Sequence, residues 1–192
     1  MHEDRTYHHG DLRAALVSIA MQLVRESGTE RWSMREASRR AGVSQAAPYR
    51  HFVDKLALLD AVGAQAYGEL ERCYREAIEQ NANPADEALA VARAYVRFAL
   101  DEPRLFRMIF SSPRLHGTKE AKSSYDVFES AVRNAQGHNA LPAGSTMMLA
   151  HVLWSGVHGV ADLVLCGTFG RRHGKQVAER LLSALLRGLH PD

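Results

Sequence analysis

Residues 42–52 read GVSQAAPYRHF. A Gly-Val-Ser turn runs into a short segment that closes on Tyr49-Arg50-His51-Phe52, the pattern expected for the loop and second helix of a helix-turn-helix. Pro48 falls inside the segment that should be the reading helix. With Ser44 as N-cap, Pro48 is the fourth residue in, and its missing N–H removes only the bond back to Ser44. Proline also pushes the residue before it, Ala47, away from helical angles. The sequence therefore predicts a first turn that is loosened or wound as 3₁₀, with the regular part beginning near Pro48. The reading helix is expected to be shortened at its start, not destroyed.

Working outward, Ser33 and Glu36 have the spacing of a capping box, and Gly42 ends the helix they begin. Ala37, Ser38 and Ala41 are small enough for two helices to cross closely, and Val43 and Phe52 can plug the space beneath them. Upstream, Asp11 is a good N-cap for a helix with Leu12, Leu16, Ile19 and Leu23 on one face, which stops at Gly28. Residues 31–55 carry six basic side chains (Arg31, Arg35, Arg39, Arg40, Arg50, Lys55) against two acids (Glu36, Asp54). Residues 56–170 carry ten basic and thirteen acidic residues, so the positive charge is local. A local basic patch is what phosphate binding needs, although charge alone fits a solvated surface equally well.

The rest of the chain has helical period and no convincing alternating strand, which predicts an all-α fold. A long helix is expected over about 54–80, with Leu59, Val62, Ala66, Leu70, Cys73 and Ala77 along one stripe, then a break at 81–84. Further helices are predicted over about 86–100, 105–110, 119–135, 145–166 and 175–189. In the last, Ala178, Leu181, Leu182, Leu185, Leu186 and Leu189 form a stripe wider than one partner requires. Gly156 and Gly159 in the helix before it allow close backbone approach. Together these two helices can form a bundle with a second copy, the preferred reading, or simply close the monomer core.

Hydrophobic residues make up 46% and charged ones 24%, which excludes a disordered chain. Cys73 and Cys166 are far apart and give neither a disulfide framework nor a metal motif. The start, MHEDRTYHHG, lacks the apolar core of a secretion signal, so the cytoplasm is the expected location. Residues 146–166 are apolar, but His151, His158 and Asp162 are costly at a bilayer centre, so they read as a buried helix and not a membrane span. GTFGRRHGKQ is not a phosphate-binding loop: Gly170 is one residue too close to Gly174, and Gln176 follows the lysine where Ser or Thr is needed. His8-His9, and His151 with His158, are weak metal candidates. No catalytic constellation is visible, so neither an enzyme nor a cofactor is expected.

Ala41-Gly42-Val43-Ser44, Tyr49-x-His51-Phe52-x-x-Lys55 and Leu58-Leu59 resemble the TetR family of transcriptional regulators over about residues 9–60. Two positions depart from the usual pattern: Ser38 stands where alanine is common, and Pro48 where an aliphatic residue is common. The resemblance implies an N-terminal three-helix helix-turn-helix domain over 1–56, and a helical domain over 57–192 that dimerises and binds a small effector. Tyr49, His51 and Lys55 match family positions that contact phosphates. Ser33, with the free amides of its helix start, can hold another phosphate. Gln45 and Arg50 are the candidates for base edges, and Arg35 can reach either phosphate or base. Ser44, Ala46 and Ala47 complete the candidate contact segment, the two alanines being small enough to let backbone approach DNA.

Residues 154–159, WSGVHG, resemble the Trp-x-x-x-His-Gly signature of a TetR subgroup, and residues 101–110, DEPRLFRMIF, resemble a segment common in it. Trp154, His158 and Asp162 share a helix face, with His151 nearby. They can line an effector cavity with Phe98, Phe110 and Phe128, or form a satisfied core cluster in which His158 bonds Asp162. The expectation is a homodimeric DNA-binding regulator, read as a repressor, whose partners are a double-stranded operator and an unnamed small molecule. The alternative is a helical small-molecule-binding dimer without specific operator recognition.

Overall fold

The computed structural model describes residues 9–188 and contains eight α-helices and no strand among them. α1 spans His9–Ser27 and α2 Met34–Ala41. The long α3 covers Lys55–Glu79, α4 Glu87–Asp101 and α5 Pro103–Ser111. α6 covers Lys119–Gly137, α7 Thr146–Leu165 and α8 Arg171–Gly188. His8 and Leu189 lie outside the described residues, as do the side chains of Leu185 and Leu186.

Short polar residues start several of these helices by accepting a backbone N–H that the first turn leaves free. Asp54 accepts from Ala57 at 2.7 Å, Thr118 from Ala121 at 3.3 Å and Ser145 from Met148 at 3.3 Å. Asp11 is not such a cap: α1 already includes His9, so Asp11 sits inside its first turns. Between α4 and α5 the proline at 103 has no N–H to orphan, and the Phe106 amide bonds the Glu102 carbonyl at 2.9 Å, so the second helix restarts at once.

α3 packs along α4 and α6, and α7 lies against α4, α6 and α8. α1 packs against both α2 and α3. α3 buries Leu58, Val62, Ala66, Tyr67, Leu70 and Tyr74, a face turned somewhat from the expected stripe. Leu59, Cys73 and Ala77 are only partly buried at its edge. Gly63 leaves room for the tip of the Leu115 side chain, which would have to move to admit a Cβ there.

α7 is long and apolar enough to cross a membrane, but it has two different faces. Ala150, Leu153, Val157, Val160, Ala161 and Val164 are buried in the bundle, whereas Met147, Met148, Val152 and Leu163 are exposed. The expectation of a buried helix therefore holds for one face only.

α5 ties distant parts together. Arg104 donates to the carbonyls of Arg25 and Glu26 at the end of α1, where unpaired carbonyls favour a cation. Arg107 donates to the Leu165 carbonyl at the end of α7. Arg25 itself pairs with Glu69 on α3 at 2.7 Å and with Glu102 at 2.9 Å.

Candidate functional site

Ser33 accepts the Glu36 amide at 3.3 Å and sets the first turn of α2. The reciprocal half of the expected capping box gives way to ion pairs. The Glu36 carboxylate takes hydrogen bonds from Arg39 at 2.8 and 2.9 Å and from Arg40 at 3.0 Å. These bonds pull its pKa down to about 2. Arg40 also grips Glu26 on α1 at 2.7 and 2.8 Å. Arg39 and Arg40 are thus spent inside the domain. Arg31, Arg35 and Arg50 are exposed and form no ion pair among the described residues.

α2 ends at Gly42, whose φ of 68° is the left-handed conformation that glycine adopts without strain. Ser38 is buried, and its hydroxyl donates to the Met34 carbonyl at 2.9 Å, so replacing the usual alanine leaves no orphaned polar group.

The next segment corrects the prediction of a third α-helix. The Ala47 amide bonds the Ser44 carbonyl at 3.0 Å, a single turn, and only Pro48–Arg50 are regular, as one 3₁₀ turn. Phe52 to Pro48, at 2.9 Å, is the one bond of α-helical span within residues 44–52. Ser44 therefore caps no α-helix. Ala47 keeps helical angles, φ −61° and ψ −43°, despite the proline after it. The physical reason for the short element lies at its two ends. Proline returns no N–H to Ser44, and four residues later Phe52 is already buried in the core, where the chain must turn toward α3.

Ser33, Arg35, Ser44, Gln45, Ala46, Tyr49 and Arg50 are exposed, while Ala47, His51 and Lys55 are half-buried. Pro48 and Phe52 are buried beneath them, and the Arg13 guanidinium lies 5.2 Å over the Phe52 ring. Val43, expected to plug the same space, is only half-buried. Lys55 does something the sequence does not reveal. Its ammonium donates to the Trp32 carbonyl at 2.6 Å and sits 4.6 Å over the Trp32 ring. Burial lowers its pKa, against the opposing charge of Glu30. Lys55 thus pins the start of α3 to the residue just before the α2 cap. An aromatic residue next to a capping box is the signal that could have pointed to Trp32.

A second candidate site lies in the body, a cavity of about 440 Å³ between α3, α6, α7, the end of α5 and the loop that follows it. Of the candidate effector contacts, Phe110, Phe128, Trp154 and His158 line it. Phe98 and His151 do not. Phe98 is packed into the core on α4, and His151 is exposed with its ring 5.4 Å from that of Tyr125. Tyr67, Leu70, Tyr74 and Tyr125 complete much of the wall. Leu70 belongs to the predicted stripe of α3, whereas Tyr67 and Tyr74 come from the face it missed.

His158 is not bonded to Asp162, which is exposed. Its Nδ1 shares a 2.5 Å hydrogen bond with the Tyr95 hydroxyl, and its ring stacks on Phe106 at 5.5 Å. Burial lowers the His158 pKa, with the Asp162 charge opposing, and burial raises that of Tyr95 well above the ordinary value. The pair is therefore neutral at pH 7. Among the described residues, no group of three or more His, Cys, Asp or Glu side chains is placed to hold a metal.

Residues 16–62 match the family described as bacterial regulatory proteins, tetR family. Residues 88–189 match the family described as tetracyclin repressor-like, C-terminal domain. No curated protein matches the sequence. Among solved structures, a protein of unknown function from Rhodococcus sp. RHA1 is 29% identical, with TM-score 0.85, over 98% of this chain and 100% of that one. A TetR-family transcriptional regulator from Pectobacterium atrosepticum is 22% identical, with TM-score 0.81, over 99% of each chain. The TetR-family regulator PfmR from Thermus thermophilus is 19% identical, with TM-score 0.65, over 92% of this chain and 99% of that one. The last two likenesses concern the fold.

Proposed function

The chain belongs to the TetR family of bacterial regulatory proteins, and from that premise we propose a cytoplasmic homodimeric repressor that leaves its operator when a small molecule fills the body cavity. Residues 1–56 form the reader and 57–192 the effector-binding and dimerising body. The Trp154, His158 and Gly159 pattern supports the subgroup with the Trp-x-x-x-His-Gly signature.

The observation that carries this reading is one helix, α5, that touches both ends of the process. Its Phe106 and Phe110 rings meet His158 at the cavity wall, at 5.5 and 5.1 Å between centroids. Its Arg104 holds the last carbonyls of α1, against which α2 packs. A ligand that prefers one position of α5 therefore acts on the reader, as a coupling free energy demands. Tyr49, His51, Lys55 and Ser33 hold phosphates, Gln45 and Arg50 meet base edges, and Arg35 reaches one or the other. Ser44, Ala46 and Ala47 give close backbone approach. The exposed Met147, Met148, Val152 and Leu163 on α7 join the second copy, with α8 beside them. Two readers then span half-sites about 34–36 Å apart or a small multiple of it.

The 3₁₀ turn in place of a reading helix favours one second reading, a ligand-binding dimer without operator recognition. Selection of genomic fragments with the purified protein, repeated at two salt concentrations, separates the two. A shared palindrome bound far above random DNA supports the regulator. Weak, steeply salt-dependent binding with no common site supports the second reading.

A further inference from the structure

The cavity wall has a specific chemistry. Tyr67, Tyr74, Phe110, Tyr125, Phe128 and Trp154 give it aromatic faces and edges. Its charged side chains, Lys122 and Asp126, are exposed, of opposite sign and one helical turn apart, so they belong to the mouth. Inside, two polar groups are satisfied by the protein itself. The Tyr67 hydroxyl donates to the Ile109 carbonyl at 3.1 Å, and His158 is taken by Tyr95. Tyr125 differs from these two. It lines the cavity, and its buried hydroxyl has no hydrogen-bond partner among the described residues. Burial, with the Glu129 charge adding to it, raises its pKa, so it keeps its proton and can donate it.

We propose that the cavity takes an uncharged ring-shaped molecule bearing a hydrogen-bond acceptor such as a carbonyl, and that the Tyr125 hydroxyl reads that acceptor. This rests on the reading of the cavity as the effector site. A carboxylate or ammonium would lose its hydration with no buried counter-charge to replace it. A purely apolar ring would fit but would leave the Tyr125 hydroxyl orphaned. A ring with a carbonyl satisfies both walls.

Equilibrium dialysis of the full chain against four probes of one shape tests this: acetonaphthone, naphthalene, naphthoate and naphthylmethylammonium. Acetonaphthone should bind about tenfold more tightly than naphthalene, the worth of one buried hydrogen bond. It should also exceed both ions by at least about tenfold. Tyr125→Phe should abolish the advantage over naphthalene while changing naphthalene binding by less than about twofold. Equal or tighter binding of either ion overturns the proposal. So does an advantage that survives Tyr125→Phe, or no binding by any probe. Release of an operator fragment is measured separately. Selective binding of acetonaphthone without release leaves the ligand class standing and removes the effector reading.

Discussion

Residues 33–55 hold their polar groups outward on a few short turns, whereas the body cavity gathers aromatic side chains inward from four helices and the loop after α5. The reader's exposed groups lie close together in sequence, and its bonds span three to a few tens of residues. The cavity joins Tyr67 to Trp154 and His158 across most of the chain. At the reader, charge is managed by local pairing: Glu36 and Glu26 absorb Arg39 and Arg40, leaving Arg35 and Arg50 exposed without ion pairs among the described residues. In the cavity, charge is managed by burial, which keeps His158 and Tyr95 neutral. The lesson is that one fold keeps unpaired cations on its surface and neutral titratable groups in its interior. What changes between them is which groups water still reaches.

The largest test asks whether the reader depends on its own small core. Phe52→Ala removes a buried ring beneath the 3₁₀ turn and should cost about 3–5 kcal/mol by chemical denaturation, with loss of DNA binding. A loss under about 1 kcal/mol would show that Phe52 does not hold the turn. Next comes the division of labour on DNA. Arg50→Ala should remove about 1–3 kcal/mol of discrimination at one base-pair position in a panel of operator variants. Lys55→Ala should weaken binding to every sequence, and it should also lower the denaturation midpoint because the bond to the Trp32 carbonyl goes with it. Identical effects from the two would remove the distinction between them.

The joint between the two regions is sharpened by Arg104→Ala. Loss of the cap on α1 should cost about 1 kcal/mol of stability and leave operator binding in place, while ligand-induced release weakens. Full release in the variant would move the coupling away from α5. A pH test addresses the cavity alone. His158 has a lowered pKa in the folded state, so below about pH 6.5 the unfolded chain takes up a proton that the folded chain resists. The stability this neutral ring supplies is complete above that pH and is lost as the pH falls toward the folded-state value. His158→Gln should flatten this part of the denaturation profile, and an unchanged slope would assign it to other groups. The smallest change expected is Pro48→Leu, which restores a backbone N–H at a buried site. It should keep the fold and retain DNA binding. Unfolding of that variant would mean that the turn needs the proline ring.

Much of the reader was legible because its determinants are local. Ser33, Gly42 and Asp54 fix starts and stops through bonds to backbone a few residues away, and such bonds show in spacing. The effect of Pro48 was visible as a disturbance but not in extent. Whether the turn recovers into a helix depends on where Phe52 must be buried, which spacing does not state.

The cavity was legible only as a supply of aromatic residues. Phe110, Phe128, Trp154 and His158 were identified, yet Phe98 and His151 carried the same chemistry and face elsewhere. A helical stripe gives the buried side of a helix to within one or two positions. That error is enough to exchange Leu59 and Cys73 for Tyr67 and Tyr74 on α3.

By itself, the sequence determined an all-helical chain, the family and the exposed basic reading segment. The first and last follow from periodicity and from contacts within a few residues, and the family from the resemblance carried by motifs such as Tyr49-x-His51-Phe52-x-x-Lys55. Only the tertiary structure decided that His158 bonds Tyr95 and not Asp162, that Lys55 is held by Trp32, and that Tyr125 is left with an unanswered hydroxyl. Each depends on which side chains meet across the packed helices, and that is set by the whole core at once.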